Sequence, residues 1–414
     1  MIVLKQPIRF LHCADLRLDS AFKGLSHVSP KIFKEIQHST YRAFQRIVDT
    51  AIEQNVDFVL LVGDIFDGEQ QSMKAHMSLK KGFEQLAKHN IDVYLSYGNH
   101  DYLNSHTLPR NYSENVHVFD SEKVTYFPYV KDNQKLANIY GFSYQNREVV
   151  ENKVSEYRRT DEEGVYHIAT LHGSYGNEKE DGHAFYAPFQ LTELKECRMD
   201  YWALGHIHKR AEISKEPPII YPGNIQGRSR KETGEKGCYL VSLTENQAEL
   251  SFIPLQEIRF EDITIDGGEL DHMYALSEAV DELVEQTKNR YGKVFLTLEL
   301  NDIAYEWERE RIQELIDLTN ERFSEDSIWA YIYQIKVHRV NNQPISQLNS
   351  TFLMELSQQL QDGDENMLSE LWKHQGGSKW LEKLSEEEMN TIREEAEELL
   401  KNMLQEGGID RNAN

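Results

Sequence analysis

Five short apolar runs in this chain each end on residue types that bind metal ions. Asp15 follows Arg9 to Ala14, and Asp64 follows Val56 to Gly63 and opens the sequence GDIFD, which ends at Asp67. Asn99, His100 and Asp101 close the run from Ile91 to Gly98 as GNHD. His172 follows Ile168 to Leu171, and His206 and His208 follow Tyr201 to Gly205 as GHIH. Runs this short and this apolar read as strands buried on both faces. Open α/β sheets gather ligands and reactive groups beyond the carboxyl ends of such strands. Any one fragment is an ordinary turn or cap. Five in this order constrain the chain to an α/β fold with one rim devoted to chemistry.

The remaining pattern fits that fold. Ser29-Pro30 predicts a helix start, with Ser as N-cap and Pro in the first turn. Ile32, Phe33, Ile36, Phe44, Ile47, Val48 and Ala51 then recur at helical spacing, and a second helix is expected over Met73 to His89. Strands are expected at Ile139–Tyr144, Val165–His172, Tyr201–Leu204, Ile219–Tyr221, Gly237–Leu243 and Glu249–Leu255. We read residues 1–256 as a sandwich of two mixed sheets flanked by helices. Residues 257–342 change to strand–helix–strand–helix–strand, with strands at Phe260–Ile265, Val294–Leu300 and Trp329–Val340 and helices at Met273–Thr287 and Trp307–Phe323. That order suggests a small α+β domain. Residues 343–414 read as a helical tail. Ser385 and Glu388 form a capping box, and Met389, Ile392, Ala396, Leu399, Leu400 and Met403 make an apolar stripe. Such a stripe packs on its own domain or on a partner, and the sequence leaves both open.

The donors are carboxylates, an amide oxygen and imidazoles, with no thiolate, which suits Mn²⁺, Fe or Mg²⁺ better than structural zinc. Two such cations about 3.5–4 Å apart can activate a water and neutralise a phosphate. Asp64 is the candidate for a carboxylate shared by both ions. His206 and His208, two apart on an extended segment, project to one side. His100 is the candidate general acid, with Asp101 behind it as an orienting partner. Asp67 reads either as a substrate-facing carboxylate or as a turn residue. His12 lies inside the first strand and is expected to be structural.

Other features narrow the partners and the compartment. A formal charge of −24 opposes simple nucleic-acid binding, which needs clustered cations. Arg228, Arg230 and Lys231 form a candidate phosphate-contacting loop, with solvation as the alternative; Lys236 reads as solvated. Cys13, Cys197 and Cys238 form no CxxC pair, which fits a reducing cytoplasmic setting. No signal-peptide pattern or membrane span is expected.

The set HxAD, GDIFD, GNHD, LHG and GHIH resembles the calcineurin-like metallophosphoesterases. Within them it is similar to the SbcD-type DNA repair nuclease subunits, in particular the bacterial YhaO-like branch. YPGN at Tyr221 to Asn224 and the loop GRSRKETGEKG add to the likeness. The resemblance implies two divalent metal ions, most often manganese. One would be held by Asp15, residue 17, Asp64 and His208, the other by Asp64, Asn99, His172 and His206, with His100 catalytic. It further implies exo- and endonuclease action on DNA, a homodimer through helices at Lys31–Glu53 and Met73–His89, and docking of the tail on an SbcC-like coiled-coil ATPase. One position departs from the pattern. The family's first motif is Asp-x-His, and here Arg17 stands at the ligand position. A guanidinium has no lone pair and stays protonated, so the first metal site is expected to be weakened or empty and the second largely intact. Two other readings stand beside the nuclease: a phosphoesterase for small nucleotides or phosphoproteins, and a catalytically weak scaffold for DNA or an ATPase. Gly68-Glu69-Gln70 after Asp67 lacks the Arg of the family's Ser/Thr phosphatases.

Overall fold

The protein was analysed as a computed structural model. It describes residues 4–339 apart from 23–24, 26–27, 106–111, 177–185, 269, 271, 304–308 and 325; beyond 339 it describes only 393 and 396. The expected tail helices therefore lie outside the described residues.

In chain order the elements are β1 (Ile8–Ala14), α1 (Pro30–Gln37), α2 (Ser39–Glu53), β2 (Phe58–Val62), α3 (Met73–Lys88), β3 (Asp92–Ser96), β4 (Val116–Val118), β5 (Thr125–Lys131) and β6 (Gln134–Gly141). There follow β7 (Tyr166–His172), α4 (Leu191–Glu196), β8 (Tyr201–Gly205), β9 (Ala211–Lys215), β10 (Pro218–Tyr221), β11 (Gly237–Leu243) and β12 (Ala248–Pro254). The last are β13 (Arg259–Asp266), α5 (Met273–Tyr291), β14 (Val294–Ile303), α6 (Arg309–Ser324) and β15 (Ala330–Arg339).

Two six-stranded sheets run β12-β11-β1-β2-β3-β4 and β5-β6-β7-β8-β10-β9. Their strands are parallel from β1 through β2 and β3 to β4 and from β6 through β7 and β8 to β10, and the pairs β1–β11, β11–β12, β5–β6 and β9–β10 are antiparallel. This is the two-sheet α/β architecture expected from the apolar runs. Phe10, Phe58, Leu60, Val62, Ile139, Ile168, Tyr201 and Ala203 fill the space between the sheets. The other face of the first sheet is covered by α2 and α3, through Phe44, Ile47, Val48, Leu79 and Phe83. Each such side chain contributes roughly 1.5–3 kcal/mol by leaving water. Gly82 of α3 sets how close these helices lie, since a Cβ there would stand 2.7 Å from the Phe44 ring.

Helix α1 begins as expected: the Ser29 hydroxyl accepts from the Ile32 N–H and Pro30 opens the first turn. The apolar spacing from Ile32 to Ala51 runs through two helices rather than one, divided at His38.

A third sheet, β13-β14-β15, is parallel throughout, with α5 and α6 as its crossovers. It belongs to the same compact unit as the sandwich. Ile32 and Ile36 of α1 share an apolar cluster with Ile258, Phe260, Phe295 and Trp329. Glu35 of α1 accepts from the Trp329 indole at 3.1 Å and pairs with Lys293 at 2.7 Å. No helix among the described residues is long and apolar enough to cross a membrane.

Candidate metal centre

The carboxyl ends of β1, β2, β3, β7 and β8 meet at one rim, and glycines make the meeting possible. Gly98 has no room for a side chain: a Cβ would lie 2.2 Å from Asp64 Oδ1 and 2.7 Å from His172 Nε2. Gly63 combines φ +72° with an equally close approach to the His172 ring. Asp15, Arg17, Asp64 and His206 also adopt positive φ, at 50°, 50°, 49° and 96°. That conformation costs a non-glycine residue roughly 1–2 kcal/mol, and strain of this kind gathers at functional sites. The turn is tied into the β1–β2 pairing by Asp15 N–H to Gly63 O at 3.2 Å and Arg17 N–H to Asp64 O at 3.1 Å.

One side of the centre is a set of donors facing a shared space. Asp15, Asp64 and His172 are buried, and each offers a ligand atom within 4.8 Å of the others. His172 lies with Nδ1 3.2 Å from the Val62 carbonyl, and with Nε2 3.1 Å from Asn99 Oδ1 and 3.5 Å from Asp64 Oδ2. The His206 backbone N–H donates to Asp15 Oδ2 at 3.0 Å, and its ring stands 5.3 Å from that of His172. His206 Nδ1 and Asp15 Oδ1 are buried without a hydrogen-bond partner, a costly state for polar atoms. Burial opposes the charged form of His172, yet the Asp64 carboxylate, with Asp15 behind it, pushes it up to about 9. Burial, then the neighbouring His172, holds His206 well below the usual imidazole range. The group therefore draws in positive charge and leaves one imidazole lone pair with nothing to accept. A divalent cation among Asp64, Asn99, His172 and His206, with Asp15 adjacent, fits these donors.

The other side is filled by protein. The Arg17 side chain is buried, with Nη2 2.6 Å from Asp64 Oδ2 and 3.0 Å from His208 Nε2, and Nη1 3.5 Å from Asp67 Oδ1. A guanidinium only donates, so His208 Nε2 is a lone pair and the His208 proton sits on Nδ1. There it donates to Glu232 Oε1 at 2.9 Å. Glu232 also accepts from the Arg228 backbone N–H and guanidinium and from Asn224 Nδ2. Burial would raise Glu232, but Arg228 and then His208 outweigh it and keep it ionised well below the usual range. Asp64 behaves likewise: Arg17, then His172 and His100, overcome burial. Asp15, Arg17, Asp64 and His208 do not fit a second cation while Arg17 lies between them.

Several expected roles change in the structure. Asp101 accepts from the backbone N–H groups of Ile65, Phe66 and Gly98 at 2.7, 3.2 and 2.7 Å. It clasps two loops, whereas the His100 ring is oriented by the Asp67 carbonyl, 3.0 Å from Nδ1. Burial, with the nearby Asp64 charge, pushes Asp101 up to about 7. Asp67 is an ion-pair partner, 2.6 Å from Arg228 Nη1. Arg228 thus spans Asp67 and Glu232. On the same loop Arg230 is half-buried and Lys231 exposed, while Lys236, expected in solvent, is buried. His12 is buried between the Tyr201 hydroxyl and the Leu204 carbonyl, both at 3.0 Å. The residue that sequence reasoning missed is Glu232. Its signal was faint: an acid four residues after Arg228, in a loop that also carries Glu235.

The fold and rim define a metal-dependent phosphoesterase type of centre. Residues 8–210 match the family described as calcineurin-like phosphoesterase. The chain is 36% identical to the metallophosphoesterase YhaO of Bacillus subtilis over 403 residues, covering 96% of this chain and 98% of that one. It is 26% identical to the DNA double-strand break repair protein Mre11 of Thermoplasma acidophilum over 294 residues, 66% of this chain and 73% of the relative. The corresponding protein of Methanocaldococcus jannaschii is 26% identical over 311 residues, 69% and 76% of the two chains. This chain belongs to the calcineurin-like phosphoesterases.

Proposed function

We propose that this chain is a metal-dependent DNA nuclease, the phosphodiesterase subunit of an SbcD-type repair assembly. The observation that carries the reading is the donor set of Asp64, Asn99, His172 and His206 at one sheet rim, with His206 Nδ1 buried and unsatisfied. Relatives named for double-strand break repair cover about two thirds of the chain and favour DNA over small phosphoesters.

A divalent cation held by those four residues would supply positive charge to a phosphoryl oxygen and acidity to the attacking water. Manganese suits the oxygen and imidazole donors. Arg17, through the fixed charge on its guanidinium, draws the phosphate toward the same rim. His100 has its Nδ1 tied to the Asp67 carbonyl, which leaves Nε2 to exchange a proton with the leaving oxygen. In the free protein burial, then Arg17, lowers His100 to about 4. A phosphodiester anion bound beside it offsets that guanidinium and favours the protonated form that a general acid needs. Arg230 and Lys231 would position the DNA backbone without reading its sequence. Pairing of two chains through α1 to α3 is supported by Met73 and Met77, 62% and 57% exposed on α3. An ATPase partner would take the segment beyond residue 340, and the cytoplasm is the matching compartment.

A second reading, a DNA- or ATPase-binding scaffold with weak catalysis, is favoured by Arg17 between Asp64 and His208. The test is Mn²⁺-dependent cleavage of single- and double-stranded DNA by the full chain, beside His172→Ala and a chelator control. The nuclease reading expects cleavage that needs Mn²⁺ and His172. Hydrolysis confined to small phosphoesters would overturn it, and DNA binding without cleavage would establish the scaffold.

A further inference from the structure

We propose that Arg17 is the resident cation of the first metal position, so that this centre takes up one divalent ion instead of two. The inference rests on the metal-dependent reading above and specifies how many ions that reading requires.

The first argument is that the guanidinium is built in. It is buried, it touches Asp64, Asp67 and His208, and its backbone holds a left-handed φ of 50° that aims it at the rim. Each partner is itself held. Glu232 takes the His208 Nδ1 proton, which turns the Nε2 lone pair toward Arg17. Arg228 bridges Asp67 and Glu232 at 2.6 and 2.9 Å, closing a ring of charges behind the guanidinium. An arginine merely replacing a lost ligand has no need of this support. It would swing out to water, as long charged side chains do when an exit is open.

Charge balance is the second argument. Asp15, Asp64, Asp67 and Glu232 bring four negative charges to the centre, and Arg17 and Arg228 bring two positive ones. With His172 neutral, as a metal-bound imidazole is, one divalent ion closes the difference; a second would leave the centre with excess positive charge, which costs several kcal/mol per uncompensated ion. The ring nitrogens agree: the buried His206 Nδ1 has no hydrogen-bond partner, whereas the His208 Nε2 lone pair already accepts from Arg17.

Glu232 is accordingly a positioning residue that acts on Arg17 through His208. The chemistry assigned to Arg17 is electrostatic: it attracts a phosphate but generates no nucleophile.

Mn²⁺ titration of the metal-free full chain by calorimetry, with elemental analysis after dialysis, tests this without an activity assay. The expected result is one ion per chain, rising about two-fold to a pair in Arg17→His, where an imidazole restores a ligand. Arg17→Met tests the same point should Arg17→His not fold. Loss of the fixed charge beside Asp64 should tighten binding of the remaining ion about ten-fold or more. It should also lower the melting temperature in chelator, with recovery on adding Mn²⁺. Two ions bound by the unaltered chain, or a single ion and unchanged affinity in both variants, would overturn the proposal while leaving the metal-dependent reading intact. No ion in any of the proteins would overturn both.

Discussion

The two halves of the rim are built from the same kinds of residue and end in opposite states. On the side of His172 and His206, His206 Nδ1 is buried with no hydrogen-bond partner, and Asp64 and Asp15 push His172 up to about 9. Around His208, both ring nitrogens are engaged by the protein: Glu232 on Nδ1 and Arg17 on Nε2, with Arg228 beside Glu232. A polar group buried without a partner costs about 1–3 kcal/mol. His206 Nδ1 is a lone pair left for a cation, whereas the buried Arg17 Nε and Arg228 Nε left over on the His208 side are donors that cannot bind one.

The sharpest way to break this comparison is to delete one histidine from each half. His172→Ala should weaken Mn²⁺ binding by roughly 100-fold or more, as expected for a lost ligand or its support. His208→Ala should change it by less than about 3-fold, because His208 holds a guanidinium; calorimetry measures both. Equal losses would mean that the halves work as one two-ion site. Gly98→Ala should be comparably severe for ion uptake, since its Cβ would meet Asp64 Oδ1 at 2.2 Å. Circular dichroism would show whether the sandwich is retained.

Stability should respond in the opposite order. Glu232→Gln removes the carboxylate shared by His208 and Arg228 and should cost about 1–3 kcal/mol in denaturant unfolding, with little change in ion affinity. A result the other way round would place Glu232 with the ion and not with Arg17.

Much of this centre was legible in the sequence because its ligand types follow strands that are apolar on both faces. Burial makes the run and the rim makes the residue, so Asp15, Asp64, Asn99, His172, His206 and His208 stand out without knowledge of pairing. Glu232 did not stand out because its role exists only across space, 24 residues from His208. The ion pairs of Arg228, a candidate phosphate contact by sequence, were hidden for the same reason, since Asp67 is brought beside it only by the fold. Among the elements, α4, β4, β5 and β9 were not expected. β4 spans three residues; β5 and β9 are edge strands with one buried side chain between them, Tyr129, so little apolar signal marks them. The break at His38 was hidden because the buried face of α1 continues in register into α2.

A separate effect, on the pH dependence of stability, lies just beneath the rim. His12 is pushed down to about 3 by burial, whereas in the unfolded chain it titrates near 6.5. Between those values the unfolded state binds a proton that the folded state does not. His12 therefore contributes to a stability that is full above about pH 6.5 and falls as pH drops, by at most about 1.4 kcal/mol per pH unit. Denaturant midpoints across that range should be flatter in His12→Gln. An unchanged slope would show that His12 is not the group responsible.

The most direct test of the central claim is anomalous scattering from crystals of the unaltered protein grown with Mn²⁺. We expect one peak, among Asp64, Asn99, His172 and His206, with the Arg17 guanidinium still seated between Asp64 and His208. Two peaks, with Arg17 displaced from His208, would contradict it.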